Sequence, residues 1–259
     1  MYNAETIKKY ITSDVEIVFF ESVDSTNNVL KSLASRGAKE GTVVVSRMQT
    51  GGKGTKGRSF FSPPECGIYL SILVRPSEEN GASMLTPGAV LAVVSAIKDV
   101  SGKKADIKWV NDVILDGKKV CGILAESSYK EGTPEPEYAV VGIGINVFEP
   151  EGGFPEELRD VAGAVFDSVT GDVDMIRSKL AARVIDSFFD LYRIKDKKKL
   201  AAEYKQNLFM LGKRIKVIKS DGIYEATAVD TDELCRLKVR YGDGSEEYLF
   251  SGEVSCRLS

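Results

Sequence analysis

Three glycines and three cations are interleaved in the segment GKGTKGR, residues 52–58. Glycine lets a backbone approach a ligand closely, and Lys and Arg pair with phosphate oxygens. The glycines also match G-x-G-x-x-G and nearly match a P-loop, but both motifs need a helix to begin there. Phe60 and Phe61 are β-like, and Pro63 and Pro64 oppose a helix. We therefore interpret residues 52–58 as a basic anion-binding loop between two strands; a solvated turn is the bland alternative.

Two further segments contain polar residues or glycines at strand positions. In IKWVNDVILDGKKVCGILAES, residues 107–127, Asn111 and Asp112 follow a strand, and a lysine pair follows an Asp-Gly turn. Each piece alone is also typical of a turn or a solvated hairpin. In VVGIGIN, residues 140–146, glycines stand at alternate positions. Glycine weakens a strand unless something approaches its backbone, so this pattern indicates either a ligand or tight sheet packing.

The composition excludes several classes of protein. The 259 residues include no histidine, which excludes imidazole as a base, a metal ligand or a triad member. A net charge of −3 argues against bulk nucleic-acid binding. Four scattered cysteines predict reduced thiols rather than disulfides or a zinc site. Without a signal-peptide core or an apolar run near the roughly 18 residues of a membrane span, we expect a cytoplasmic protein.

The apolar pattern predicts a large body followed by a small β module. Strands are predicted at residues 16–23, 42–48, 68–76, 106–109, 113–115, 120–127 and 138–147. Helices are predicted at residues 3–13, 24–37, 83–100, 156–166, 175–192 and 199–208. After Leu211, short strands separated by DG, TDE and GDGS turns predict an SH3-like barrel. The predicted domains are residues 1–210 and 211–259.

Taken in order, several segments resemble those of biotin protein ligases. They are VDSTNNVL, QTGGKGTKGRSFFSP, IKWVNDVIL, KKVCGILAES, VGIGINV and the C-terminal SGEVSCR. The resemblance covers nearly the whole chain, and the joint order is specific although each glycine motif is weak. It implies an α+β fold: a mixed, largely antiparallel sheet flanked by helices, related to class II aminoacyl-tRNA synthetases, plus a small C-terminal SH3-like β-barrel.

The resemblance also implies site residues. Those implied to bind biotin are Ser25, Thr26, Asn27, Gln49, Gly52, Lys53, Gly54, Lys119 and Gly122. Those implied to bind ATP are Lys53, Thr55, Lys56, Arg58, Asn111, Asp112, Gly142, Gly144, Asn146 and Arg257. The catalytic residues would be Lys119, Arg58 and Lys53, with Lys119 contacting the biotin carboxylate and the α-phosphate. Asn111 and Asp112 would lie near Mg²⁺.

The sequence departs from the family pattern at three positions. Lys53 and Thr55 stand where the family loop has arginine, and Val110 stands where a proline is usual. Lysine loses bidentate phosphate pairing, and Thr55 carries no charge. Because the Ser-Thr-Asn segment begins at residue 25, we expect no N-terminal winged helix-turn-helix and no DNA binding.

The implied activity is that of an ATP-dependent ligase. It would activate biotin as biotinyl-5′-AMP and transfer it to a lysine of a biotin carboxyl carrier domain. An ionised carboxylate needs cations and Mg²⁺ rather than imidazole for its activation, which fits the absence of histidine. We expect no membrane partner, and a homodimer through the sheet is a further expectation. The alternatives are a lipoate–protein ligase and a non-catalytic biotin-responsive binding module.

Overall fold

The computed structural model describes residues 1–77, 81–130, 132–133, 135–168, 171–194 and 196–250, and the backbone of residues 255–258. Its helices are α1 (Ala4–Lys8), α2 (Thr26–Ser35), α3 (Leu85–Ser101), α4 (Val173–Tyr192) and α5 (Lys197–Gln206). The strands of the larger sheet are β1 (Glu16–Val23), β2 (Thr42–Gln49), β3 (Gly67–Val74), β4 (Asp106–Lys108), β5 (Asp112–Leu115), β6 (Lys118–Tyr129) and β7 (Pro136–Asn146). Those of the smaller sheet are β8 (Arg214–Lys219), β9 (Gly222–Thr231), β10 (Leu237–Tyr241), β11 (Glu246–Leu249) and β12 (Ser255–Leu258).

The larger sheet is mixed, as predicted. Its strand order is β1-β2-β3-β7-β6-β5-β4, and β1 pairs with β2 in parallel while the other neighbours are antiparallel. The parallel pair needs a crossover, which α2 supplies. The β5–β6 hairpin closes at Asp116 and Gly117, both at positive φ, as the Asp-Gly pair predicts.

Helices α3 and α4 pack together and cover one face of this sheet. The segment Ala82–Ser101 is, within the described part of the chain, the one helical stretch long and apolar enough to cross a membrane. Of its apolar window, 61% is buried inside the protein. Its apolar surface is therefore explained by contact with the sheet and α4, as in a core helix of a folded domain.

Helix α2 covers part of the opposite face. Leu30 of α2 packs there with Val44, Leu73 and Val140 of the central strands. These contacts lie on β2, β3 and the first half of β7. The second half of β7 and the paired part of β6 are not covered by these contacts. The candidate site lies on this uncovered part of the sheet.

The smaller sheet is antiparallel in the order β11-β10-β9-β8-β12, which agrees with the predicted SH3-like module. The indole N–H of Trp109, which is 6% exposed, donates to the carbonyl of Cys235 at 2.9 Å. Ile107 of β4 also exchanges backbone hydrogen bonds with the segment after α5, through Asn207 and Phe209. The strand that leads into the Asn111–Asp112 pair is thereby joined to the C-terminal part of the chain.

Some predicted elements were wrong in extent. Residues 156–166 form a short 3-10 turn at Glu156–Leu158 rather than a helix. The end of the segment is not helical, because Ala162 pairs with Lys119 of β6 and Phe166 pairs with Phe148, just after β7. The helix predicted at residues 3–13 is limited to α1. The cysteines with described side chains, at 66, 121 and 235, are buried and form no disulfides; the Cys256 side chain lies outside the described part.

Candidate active site

A pocket of about 310 Å³, open mouth included, lies between the start of α2, the end of β2 and strands β6 and β7. Its lining residues are Ser25, Thr26, Asn27, Gln49, Lys53, Phe60, Gly122, Leu124, Gly142, Ile143 and Gly144. The structure thus brings together eight of the residues predicted from the sequence, although they come from four separate segments.

Glycines form the floor of this pocket. Gly122 of β6 pairs directly with Gly144 of β7, so both lie on the same face of the sheet. A Cβ at Gly144 would lie 2.5 Å from the ring of Phe60, and a Cβ at Gly142 would lie 2.3 Å from Asn27 Oδ1. The alternating glycines of β7 are therefore required by close approach of other side chains over the backbone.

Connected polar side chains lie beside and over the floor, and we call them the buried polar network: Ser62, Gln49, Thr26, Ser71, Asn27 and Glu126. Gln49 Oε1 accepts hydrogen bonds from the backbone N–H and the hydroxyl of Thr26, at 2.9 and 3.1 Å. Gln49 Nε2 donates to Ser62 Oγ at 2.9 Å. The amide of Gln49 therefore satisfies the first turn of α2, where Ser25 occupies the N-cap position without a side-chain capping bond.

The other end of the network holds Asn27. Ser71 Oγ lies 2.8 Å from Thr26 Oγ1 and 2.6 Å from Asn27 Oδ1, and Asn27 Nδ2 donates to Glu126 Oε2 at 2.7 Å. Burial raises the pKa of the Glu126 carboxyl, but hydrogen bonds from Lys31 and Asn27 outweigh it, and the pKa lies below its ordinary value. Glu126 is therefore ionised at neutral pH.

Lys119 lies at the edge of the glycine floor. Its Nζ is 3.0 Å from the position of a Cβ on Gly122 and 2.6 Å from Asp112 Oδ1. Lys119 and Asp112 therefore form an ion pair, in which the carboxylate oxygen is buried. Asp112 itself pairs with Gly122 across β5 and β6, which places its side chain on the pocket face.

The glycine-rich loop, residues 52–58, is a tight turn with exposed cations. Gly54 N–H donates to the carbonyl of Arg58 at 2.7 Å, and Lys56 adopts φ +57°. The described loop has a three-residue 3-10 turn and begins no α-helix, in agreement with the rejection of the P-loop motif. Lys53 donates to Asn28 Oδ1 at 2.6 Å, and Arg58 donates to Thr55 Oγ1 at 3.0 Å. In this state, these cations are held by oxygens of the chain itself.

The remaining predicted residues lie around the pocket or away from it. Gly52 lies behind the network, where a Cβ would be 2.6 Å from Ser62 Oγ. The Asn111 amide donates to the Ile123 carbonyl, and the Asn146 amide donates to the Gly163 carbonyl. The backbone of Arg257 pairs with Lys216 in the smaller sheet, but its side chain lies outside the described residues.

Sequence reasoning missed several residues of this site. Phe60 was read only as β-like, yet its ring lies against Gly144 and Gly122. Glu126 lies four residues after Gly122 on β6, and residues two or four apart on a strand share a face. This period of two could have placed the Glu126 side chain on the same face as Gly122. No comparable signal existed for Ser71, a polar residue in a strand that is otherwise apolar.

Comparison with known proteins agrees with this geometry. The biotin/lipoate A/B protein ligase family matches residues 19–146, and the biotin protein ligase C-terminal domain matches residues 210–257. The fold and site therefore define a member of the biotin and lipoate ligase class. A solved biotin protein ligase from Aquifex aeolicus, in complex with biotin and ATP, is 27% identical with a TM-score of 0.79, over 94% of this chain and 99% of that one.

Curated relatives distinguish between the biotin and lipoate members of this class. The biotin–[acetyl-CoA-carboxylase] ligase of Mycobacterium tuberculosis is 32% identical over 240 residues, which are 89% of this chain and 85% of that protein. The bifunctional ligase/repressor BirA of Bacillus subtilis is 33% identical over 178 residues, 68% of this chain. The chain spans 54% of the length of that relative. The chain belongs to the biotin protein ligase family.

Proposed function

We propose that this protein is an ATP-dependent biotin protein ligase that forms biotinyl-5′-AMP and transfers biotin to a lysine of a biotin carboxyl carrier domain. The observation that carries the proposal is the glycine floor of Gly122, Gly142 and Gly144, flanked by Lys119 on one side and by a wall of oriented amides on the other. A ligand of this kind needs apolar surface beside a few placed polar groups, and the lining residues include both kinds. The match of the C-terminal segment to biotin protein ligases favours biotin over lipoate.

The first step would need cations rather than a base. The biotin carboxylate is ionised near pH 7, and its oxygen attacks the α-phosphorus of ATP as pyrophosphate leaves. The barrier is repulsion between two anions, so positioned positive charge lowers it. Lys119 lies beside the floor and would contact both the carboxylate and the α-phosphate. Lys53, Lys56 and Arg58 would neutralise phosphate oxygens once ligand oxygens replace their present partners within the chain.

Magnesium fits this site in a limited way. Among the described residues, no group of three or more acidic, Cys or His side chains could hold a metal ion. Mg²⁺ commonly uses one or two carboxylates together with substrate phosphates and water. Asp112 Oδ1, which is buried beside the Lys119 ammonium, and the amide oxygen of Asn111 are the groups that could serve as such ligands. When bound, the ion would neutralise charge on the phosphates.

The second step releases AMP and one proton. The acceptor amine must be neutral when it attacks the acyl carbon, and the sequence contains no histidine to take its proton. Asp112 is our proposed acceptor of that proton, because its carboxylate lies beside Lys119 at the edge of the floor. In the ion pair, Lys119 holds that carboxylate 2.6 Å from its ammonium.

Further properties belong to the same proposal. The domains would be residues 1–210 and 211–259, and Arg257 would reach the nucleotide from the second of them. We propose a cytoplasmic location, where a carrier domain would be the partner. Homodimer formation and the lack of DNA binding stay predictions from the sequence.

The decisive experiment measures transfer of labelled biotin to a purified carrier domain, with and without ATP. We expect labelling of one lysine that depends on ATP, and no labelling with lipoate. Labelling with lipoate but not biotin would favour a lipoate–protein ligase. Biotin binding without adenylate formation would contradict the enzymatic proposal and favour a binding module.

A further inference from the structure

Asn27 lines the pocket with a fixed amide orientation. The residue is 3% exposed, and its Nδ2 donates to Glu126 Oε2 at 2.7 Å and to the carbonyl of Leu124 at 3.3 Å. Its Oδ1 lies 2.6 Å from the hydroxyl of Ser71. Each end of the amide therefore faces a partner of the complementary kind, and a flipped amide would set its oxygen against the acceptors of Glu126 and Leu124.

Glu126 determines this orientation. Its two oxygens are used by different residues of α2: Oε2 accepts from Asn27, and Oε1 accepts from Lys31 Nζ at 2.7 Å. Asn27 and Lys31 are one helical turn apart, so a single carboxylate of β6 clamps both to the sheet. An ionised carboxylate can only accept hydrogen bonds, and it therefore selects the NH₂ end of Asn27.

The orientation matters because Asn27 lies over the floor. Asn27 Oδ1 is 2.3 Å from the position of a Cβ on Gly142, and both residues line the pocket. Gln49, at the other end of the buried polar network, is oriented independently by the backbone N–H of Thr26. A cyclic urea presents two N–H donors and one carbonyl acceptor, so its recognition depends on which ends of these amides face the pocket.

We propose that Glu126, anchored by Lys31, is a positioning residue that fixes the amide of Asn27 for recognition of the cyclic urea of biotin. The inference rests on the proposed function and adds to it a residue that does not line the pocket. It assigns to Glu126 a larger effect on biotin than on ATP. Its hydrogen-bonded side-chain partners, Asn27 and Lys31, both belong to α2, whereas Lys53 acts on its carboxylate only through space.

The test is Glu126→Gln, assayed by ATP–pyrophosphate exchange and by calorimetry with biotin. Glutamine keeps the shape but must turn its own NH₂ toward either the ammonium of Lys31 or the NH₂ of Asn27. We expect the biotin KM and Kd to rise about tenfold, as for the loss of one charge-assisted hydrogen bond, while the ATP KM and kcat change less than about twofold. Glu137→Gln is the matched control, because Glu137, on the neighbouring strand β7, forms an exposed ion pair with Lys130.

Each other result is informative. A biotin KM within about twofold of the unmodified protein would overturn the inference, and so would equal increases in the biotin and ATP KM, which indicate a general structural role. If Glu126→Gln does not fold, Lys31→Met replaces it. We expect this variant to raise the biotin KM about threefold and to leave the ATP KM unchanged; an unchanged biotin KM would overturn the inference. An unmodified protein that binds no biotin would overturn the proposed function as well, whereas normal binding by both proteins overturns the inference alone.

Discussion

The two polar regions around the pocket are built in opposite ways. In the buried polar network, Thr26, Asn27 and Ser71 are 4%, 3% and 0% exposed, and bonds to neighbouring side chains orient each group. In the glycine-rich loop, Lys53 and Arg58 are exposed, and their partners are nearby oxygens of the chain. Under the proposed function, the network would recognise biotin without rearrangement, whereas the loop cations would exchange their present oxygen partners for phosphate oxygens. This comparison predicts that network changes affect biotin affinity and that loop changes affect the phosphate-bearing intermediate.

The largest expected effect lies where the two regions meet, at Lys119. Lys119→Ala should lower adenylate formation at least about a hundredfold, because it removes an ammonium that lies 3.0 Å from the Cβ position on Gly122. ATP–pyrophosphate exchange measures this loss, and a thermal scan should show that the fold is retained. Lys118→Ala is the control, since Lys118 is exposed and its ammonium donates to the backbone carbonyl of Arg159. Near-normal exchange by Lys119→Ala would contradict the assigned role.

A smaller loss is expected from Gly142→Ala, which acts on the network. The new Cβ would lie 2.3 Å from Asn27 Oδ1 and would push the amide from its position. We expect the biotin Kd, measured by calorimetry, to rise tenfold or more. A tenfold rise corresponds to a loss of about 1.4 kcal/mol of binding free energy. Gly88→Ala in α3 meets its nearest neighbour at 3.9 Å and should leave the Kd unchanged. Unaltered biotin binding by Gly142→Ala would show that Asn27 is not needed.

The loop should respond through the adenylate rather than through biotin. Thr55→Arg adds a cation and removes the hydroxyl that now holds Arg58, so less adenylate should escape. We expect labelling of bystander proteins to fall about threefold with an unchanged biotin Kd. The experiment mixes labelled biotin, ATP and a protein without a carrier domain. Equal labelling by both proteins would count against a leaky loop.

The smallest effect is a pH dependence. Because the pKa of Glu126 is below the ordinary value of 4.5, its contact with Asn27 is present at neutral pH and is lost only as pH falls through that lowered pKa. Lys31→Met removes one cause of the lowering, while the Lys53 ammonium still acts on the carboxylate. The variant should therefore lose biotin affinity at a higher pH than the unmodified protein. The measurement is the ratio of the biotin affinities of the variant and the unmodified protein, taken from pH 7 downward. Protonation of biotin itself affects both proteins equally and cancels in this ratio. A ratio that does not change with pH would refute the prediction.

The sequence predicted the fold and much of the pocket for identifiable reasons. Apolar periodicity located α2 and β7, and the Asp-Gly turn located the β5–β6 hairpin. The glycines of β7 were informative because a bare backbone in a buried strand needs an explanation. Phe60, Ser71 and Glu126 were missed because their contacts join distant segments, such as α2 with β6. Local pattern does not encode such pairings, and the helix wrongly predicted at residues 156–166 failed for the same reason.

The hydrogen bond from Trp109 to the Cys235 carbonyl has a practical consequence for spectroscopy. Trp109 is the single tryptophan of the sequence, and its buried indole lies at the seam between the two sheets. Its fluorescence therefore reports whether the two sheets are packed together, without any attached dye. Asn111 and Asp112 follow Trp109 by two and three residues in the sequence. Separation of the two sheets would shift the emission wavelength and also disturb the segment that carries Asp112, so one optical signal would report both the contact between the sheets and the state of the proposed site.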